Sequence, residues 1–108
     1  MNKSEKFENS LQVLARYSKA LSHPARLLIL QYLAETKICI SGDISDNIPL
    51  GRSTVSQHLK ELKQAGLISG EIDGLRINYC LNDSEIIRLT ELLTGFLHRL
   101  GKTETNCC

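Results

Sequence analysis

The chain has 108 residues, 42% of them hydrophobic, and carries 13 Lys and Arg against 12 Asp and Glu, for a formal net charge of +1. This length fits one ordinary globular domain, and the net charge by itself argues for neither nucleic acid nor membrane as a partner. No apolar run approaches the about 20 residues of a membrane span, and the polar residues 1–9 do not resemble a signal peptide. We therefore expect a cytoplasmic protein without a membrane partner.

The amino-terminal third of the chain predicts two helices. Between about Lys6 and Leu21, apolar side chains recur every three or four residues, which is typical of an amphipathic helix. We expect Ser22 to cap the next helix and Pro24 to lie in its first turn. A broad apolar surface predicts that this second helix is buried at the centre of the fold, and it is formed by Leu27, Leu28, Leu30, Tyr32 and Leu33.

The middle of the chain predicts a helix-turn-helix. A short β-prone stretch, Ile38–Ile40, is followed by a brief helical pattern over Asp43–Ile48. After a turn containing Gly51, a longer amphipathic helix covers Arg52–Ala65 and stops at Gly66. Two helices joined by a short glycine-containing turn form a helix-turn-helix, whose second helix is the recognition helix.

The remaining third predicts a hairpin and a final helix. Asp73-Gly74 separates two β-prone runs, which is a strong hairpin signal, and a hairpin after a helix-turn-helix is a wing. Asn82 or Asp83 can cap the last helix, whose apolar face is marked by Ile86, Leu89, Leu93, Phe96, Leu97 and Leu100.

The predicted fold is thus mainly α with a β-hairpin wing (α+β), in the order α-α-α-α-β-β-α. We expect residues 1–100 to form a single winged helix-turn-helix domain whose terminal helices make a dimer interface. We expect residues 101–108 to form a flexible tail that contains cysteines.

Two motifs carry a family resemblance. Lys19-Ala-Leu-Ser-His-Pro-Ala-Arg-Leu-Leu-Ile-Leu resembles the opening signature of the ArsR/SmtB family of bacterial metalloregulators, and Ser53-Thr-Val-Ser-Gln-His-Leu-Lys-Glu-Leu-Lys-Gln-Ala-Gly-Leu resembles its recognition-helix signature. The resemblance implies a homodimer joined by its first and last helices. It also implies double-stranded operator DNA as partner, because a two-fold symmetric dimer fits half-sites about 34 Å apart.

The recognition helix offers the candidate DNA-binding residues. Arg52 and Gln57 are predicted to read base edges, while Lys60 and Lys63, further along the helix, are predicted to meet phosphates. Arg76 near the hairpin turn is the candidate wing contact. Three hydroxyl side chains complete the set, Ser53, Thr54 and Ser56. The alternatives are that Ser53 caps the helix and that Gln57 and Arg76 are solvated.

His58 has the helical phase of the apolar residues Val55, Leu59 and Leu62. It also matches a histidine of the family that packs inside. We therefore predict a core histidine rather than a ligand.

The metal sites that the resemblance suggests are incomplete in this chain. Many relatives use a Cys-x-Cys pair before the recognition helix, but here Cys39 is followed by Ser41 at the second position. Other relatives bind zinc at the last helix with paired Asp and His ligands. This helix lacks that pairing and offers only Asp83, Glu85, Glu91 and His98.

The terminal pair Cys107-Cys108 is the remaining candidate. Two adjacent thiols can chelate trivalent arsenic or antimony, and Cys39 or Cys80 could supply a third sulfur. No cofactor is required under this hypothesis, and the metalloid is the inducer that releases DNA. The alternative is that this tail has no function.

We expect the four cysteines to be reduced thiols. Cys80 lies on the polar face of its strand, and we expect it to have a structural role.

The sequence favours a DNA-binding transcriptional repressor of the ArsR type, released by a thiol-reactive inducer such as arsenite or antimonite. One alternative is a repressor of the same fold that senses oxidants or reactive sulfur through a disulfide. Another is a winged-helix module with no metal inducer, which could serve protein contacts. No phosphate-binding glycine loop and no nucleophile paired with a base is found, so we do not expect an enzyme.

Overall fold

In a computed structural model, residues 7–36, 40–41, 48–73 and 76–101 are described. The elements are helix α1 (Asn9–Ala20), helix α2 (Pro24–Thr36), strand β1 (Ile40–Ser41), helix α3 (Arg52–Ala65), strands β2 (Ile68–Asp73) and β3 (Arg76–Leu81), and helix α4 (Asp83–Gly101). The mainly helical fold with a β-hairpin after the recognition helix, α3, is confirmed. The predicted short helix over Asp43–Ile48 lies outside the described residues except for its last residue.

The hairpin belongs to a three-stranded antiparallel sheet in the order β1-β3-β2. Asp73 is opposite Arg76, so it ends β2, and residues 74–75 connect the two strands. β1 joins the other edge of β3, with Ile40 opposite Tyr79. The predicted element order did not include this third strand, although the β-prone stretch that ends at Ile40 contains its first residue.

The core lies where α3 packs against α1, α2 and β2. Tyr17, Ile29, Leu62 and Leu67 have no exposed surface. Burying side chains of this size stabilises the fold by about 1.5–3 kcal/mol each. The core therefore holds the inner face of α3 in place, and the opposite face of this helix is exposed to solvent.

Helix α2 is less buried than the sequence predicts. It does begin at Pro24 as expected, and Ile29 and Leu33 reach the core. Leu27 and Leu28, however, are 49% and 39% exposed. The apolar residues surround the helix, and the chain covers only the side that faces α3.

The connection between α1 and α2 also differs from the prediction. The Ser22 hydroxyl donates to the carbonyl of Lys19 at the end of α1. His23 takes the capping role, because its Nδ1 accepts a hydrogen bond from the backbone N–H of Ala25.

Candidate nucleic-acid interface

Helix α3 has a buried inner face and an exposed outer face. Val55, Leu59 and Leu62 are at most 4% exposed, as the sequence predicts. The outer face of α3 consists of Arg52, Ser53, Thr54, Ser56, Gln57, Lys60 and Lys63, all exposed. All seven predicted recognition-helix residues therefore share one accessible surface with three positive charges, which suits a phosphate backbone.

The ends of α3 are set by two glycines. Gly51 is the N-cap in an extended conformation and provides no side chain to cap the helix. Ser53 lies one residue inside the helix, so the alternative that Ser53 is the cap is wrong. At the other end Gly66 has φ +88°, a left-handed conformation that side-chain-bearing residues rarely adopt, and it stops the helix as predicted.

Gln57 and Lys63 of the outer face each have a hydrogen-bond partner within the protein. The Gln57 amide donates to the Glu61 carboxylate at 3.1 Å, one turn along the helix. The Lys63 ammonium donates to the carbonyl of Gly70 at 2.9 Å and so links α3 to β2 of the wing. Base readout by Gln57 and phosphate binding by Lys63 stay predictions, and each requires exchange of one of these contacts.

Arg76 begins β3 beside the residues that join the two hairpin strands. Its backbone is therefore at the tip of the wing, where the sequence prediction requires it. Its contact with DNA stays a prediction.

A cluster of two histidines and an arginine connects α3 to α2. The His23 and His58 rings lie with centroids 4.4 Å apart, and the Arg26 Nε donates to His58 Nδ1 at 3.1 Å. Arg26 also donates to the carbonyl of Lys19 at 3.2 Å. The prediction that His58 is a core histidine is confirmed, since it is 7% exposed.

Burial lowers the pKa of His58 below 6.5, and the nearby charges of His23 and Arg26 lower it further. Glu61 opposes these effects weakly. Because Nδ1 accepts a hydrogen bond, the neutral ring carries its proton on Nε2. The sequence analysis did not identify Arg26 and His23 as the partners of His58. Their position at the start of α2 was the one feature of the sequence that could have indicated this contact.

Glu85 connects the last helix to two other elements. Its carboxylate accepts a hydrogen bond from the hydroxyl of the buried Tyr17 on α1. Its side chain also lies within 3.7 Å of the position that a Cβ would occupy at Gly66. Glu85 is therefore a contact between the terminal helices and the end of the recognition helix.

Cys80 is half-buried in β3 opposite Ser69, and it forms a disulfide bond. The expectation that all cysteines are reduced thiols is therefore wrong for Cys80 in this structure. The predicted metal ligands Cys39, Cys107 and Cys108 lie outside the described residues. Within the ranges the structure describes, no group of three or more His, Cys, Asp or Glu side chains could hold a metal ion.

Comparison with known proteins identifies the family. Residues 23–69 match the family described as "Bacterial regulatory protein, arsR family". The transcriptional activator HlyU of Vibrio cholerae is 32% identical over 93% of this chain and 87% of its own length. The chain belongs to the ArsR family. Its relatives are transcription regulators and not enzymes.

Other relatives agree with this assignment. The HTH-type transcriptional regulator CmtR of Mycobacterium bovis is 37% identical over 69% of this chain, which spans 63% of CmtR's length. The solved structure of HlyU matches with a TM-score of 0.66 at 28% identity, over 87% of this chain and 97% of that one. An ArsR-like regulator from Rhodococcus sp. RHA1 has a TM-score of 0.71 over 88% of this chain and 89% of its own, which at 21% identity shows the winged-helix fold.

None of the described helices combines the length and the hydropathy needed to cross a membrane.

Proposed function

We propose that this ArsR-family regulator is a repressor that binds a two-fold symmetric operator as a homodimer and releases it when a thiol-reactive inducer modifies its cysteines. The observation that carries DNA binding is the outer face of α3, with Arg52 at its start and Lys60 two turns further on. The amino-terminal end of a helix favours an anionic partner, because its backbone N–H groups and dipole point outward. An exposed guanidinium beside that end suits both phosphate and guanine.

The terminal helices support the homodimer. Phe7, which lies just before α1, is 60% exposed, and Leu11, within α1, is 39% exposed. On α4, Leu93, Leu97 and Leu100 are 36%, 54% and 57% exposed. An extended apolar surface of this kind is rare on a monomer, and a second copy would cover it in a symmetric contact.

Arsenite and antimonite are the first candidate inducers. Cys107 and Cys108 offer adjacent thiols for a trivalent metalloid, and Cys39 could supply a third sulfur. No other cofactor is required. Binding of the metalloid needs deprotonated thiols, so release of DNA by arsenite should weaken at low pH.

Oxidants are the second candidate. The disulfide at Cys80 is the specific observation that favours them, because it shows that the fold accommodates an oxidised cysteine close to the wing. The two candidates differ in chemistry, and the same DNA-binding measurement separates them.

The test uses the full chain, reduced, with a fluorescent duplex taken from the DNA upstream of its own coding sequence. We expect the anisotropy to show tight binding that weakens steeply with salt, and weaker binding to a scrambled duplex of the same length. Arsenite or antimonite should then release the operator, while zinc should not. Absence of duplex binding at every salt concentration would contradict the proposed function and favour a module for protein contacts.

A matched pair of variants identifies the cysteines. Changing both Cys107 and Cys108 to Ser should abolish release by arsenite if the tail is the metalloid site. Cys80→Ser should leave that release unchanged. The opposite pattern would overturn the tail site and move it to the wing.

A further inference from the structure

We propose that Glu85 is a positioning residue that fixes the angle between α4 and the recognition helix through Tyr17 and Gly66, and so sets the half-site spacing that the repressor accepts on DNA. This role rests on the proposed function, in which a homodimer binds a two-fold symmetric operator. Glu85 lies outside the outer face of α3, so it would select the operator without a contact to a base.

A backbone hydrogen bond joins the end of α3 to the start of α4. The N–H of Leu67 donates to the carbonyl of Leu62, in the last turn of α3, at 3.1 Å. The N–H of Asn82, the residue before α4, donates to the carbonyl of Leu67 at 3.0 Å. This bond holds the first residue of α4 at the end of α3, but it does not fix the direction in which the helix runs.

Glu85 supplies a second contact in the first turn of α4. Its carboxylate accepts a hydrogen bond from the hydroxyl of Tyr17 on α1, a residue with no exposed surface. The same carboxylate oxygen lies 3.9 Å from the position that a Cβ would occupy at Gly66, the C-cap of α3. One oxygen of Glu85 therefore lies between α1 and the end of α3, and this second contact fixes the direction of α4.

The hydrogen bond constrains the helices in a way that apolar packing does not. Leu14 on α1 and Leu89 on α4 both belong to the core, and the free energy of burying such side chains depends on area and not on direction. A hydrogen bond, in contrast, weakens steeply when its angle departs from linear. Tyr17 and Glu85 therefore select one orientation of α4 among those that bury a similar apolar area.

The stability of the two helices does not explain where the Glu85 carboxylate lies. The first turn of α4, which also contains Asp83, favours a negative charge because a helix begins with positive partial charge. The carboxyl end of α3 has the opposite partial charge and disfavours it. A side chain turned to solvent would keep the first effect and avoid the second. The half-buried position of Glu85 between Tyr17 and Gly66 therefore indicates a positioning role.

The length of α4 converts its direction into a spacing on DNA. The helix has 19 residues, so it is about 28 Å long. A tilt of about 7° at its start displaces its far end by about 3.4 Å, which is the rise of one base pair. The exposed leucines of the proposed dimer interface, Leu93, Leu97 and Leu100, lie in this far half. A change in tilt therefore changes the separation of the two recognition helices in the dimer.

The test compares duplexes that differ in half-site spacing. The operator is synthesised as found and with one base pair inserted or removed at its centre of symmetry. Fluorescence anisotropy of the full chain at fixed salt should show that the wild type prefers the natural spacing by about tenfold or more. Y17F removes the hydroxyl alone, and E85A also removes the contact with Gly66. Each should reduce the preference to about threefold or less.

Two controls separate positioning from stability. E85Q keeps a side-chain oxygen that can accept from Tyr17, so it should keep the wild-type spacing preference. V13A removes buried methyl groups from α1 and should lower the urea midpoint while leaving the preference unchanged. The salt dependence on the natural operator should stay as in the wild type for every variant, because none of these residues lies on the outer face of α3.

An unchanged spacing preference in Y17F and E85A would overturn the role of Glu85 and leave the repressor function intact, as would equal affinity of the wild type for all three spacings. The role would also fail if V13A relaxed the preference as much as Y17F, because loss of stability alone would then explain the effect. If the wild type bound none of the three duplexes, the proposed function would fail, and the role of Glu85 with it.

Discussion

The recognition helix and the last helix have the same apolar periodicity but different degrees of burial. On α3, Val55, Leu59 and Leu62 are at most 4% exposed. On α4, Leu89 is buried, whereas Leu97 and Leu100 are more than half exposed. The difference teaches that an amphipathic pattern marks a face that must be covered but does not say whether the same chain covers it.

The largest expected effect is in the core. Leu62→Ala removes a side chain with no exposed surface and should lower the free energy of unfolding by about 2–5 kcal/mol. Urea denaturation followed by circular dichroism measures it. Leu100→Ala, the same change at a 57% exposed position, should cost little in dilute protein. Equal losses at low concentration would show that the two helices do not differ as the structure indicates.

The next effect concerns the exposed face of α4. Leu97→Glu places a charge on the proposed dimer interface and should weaken dimerisation by about 2–4 kcal/mol, measured by sedimentation equilibrium. Operator affinity should fall with it. Arg88→Gln changes the net charge by the same amount on the opposite side of the helix and should leave the dimer intact. A dimer that tolerates Leu97→Glu would contradict a role for this face.

The sequence could predict α3 almost completely because its signals are local. Gly66 ends the helix through its own backbone conformation, and the spacing of Val55, Leu59 and Leu62 fixes which side is inside. Its bounds, Arg52–Ala65, agree with the prediction. The outer face of α3 follows directly, and with it the candidate DNA-binding residues.

Contacts between distant residues could not be predicted in the same way. The hydrogen bond from Arg26 to His58 joins residues on two helices, and the disulfide of Cys80 has no signal in the sequence around it. Leu27 and Leu28 look like core residues by composition, but the core extends only to one side of α2. These features depend on tertiary packing, which the spacing of apolar residues along the chain does not predict.

The outer face of α3 should itself divide into specific and non-specific contacts. Arg52→Ala should cost about 1–3 kcal/mol on the operator and little on a scrambled duplex, because a guanidinium reads base edges. Lys60→Ala should weaken binding to both duplexes by similar factors. Fluorescence anisotropy at fixed salt compares them. Equal losses on both duplexes for Arg52→Ala would remove Arg52 from base readout.

The inner side of α3 should make stability depend on pH. His58 has a lowered pKa in the folded protein, so the unfolded chain, with a pKa near 6.5, binds its proton first as pH falls. The contribution of neutral His58 to the free energy of unfolding should be fully present above about pH 7.5. It should decrease as pH falls through 6.5 towards the pKa of His58 in the folded protein. Urea midpoints of the wild type and His58→Gln measure this, and the variant should lose that part of the slope.

A destabilised control separates titration from packing. Val55→Ala weakens the same face of α3 but keeps His58, so its urea midpoint should fall at every pH with the slope unchanged. If His58→Gln and Val55→Ala had the same pH dependence, another group would be responsible.

The smallest effect tests whether Lys63 belongs to the wing or to the DNA surface. If its bond to the Gly70 carbonyl persists on DNA, Lys63→Met should cost about 0.5–1.5 kcal/mol of stability and increase hydrogen exchange in β2. The salt dependence of operator binding should then stay as in the wild type. Lys60→Met changes the same charge on the outer face and should reduce the log–log salt slope by about 0.9. An equal reduction for Lys63→Met would mean that its ammonium leaves Gly70 for a phosphate, because only a contact that displaces a counterion changes the slope.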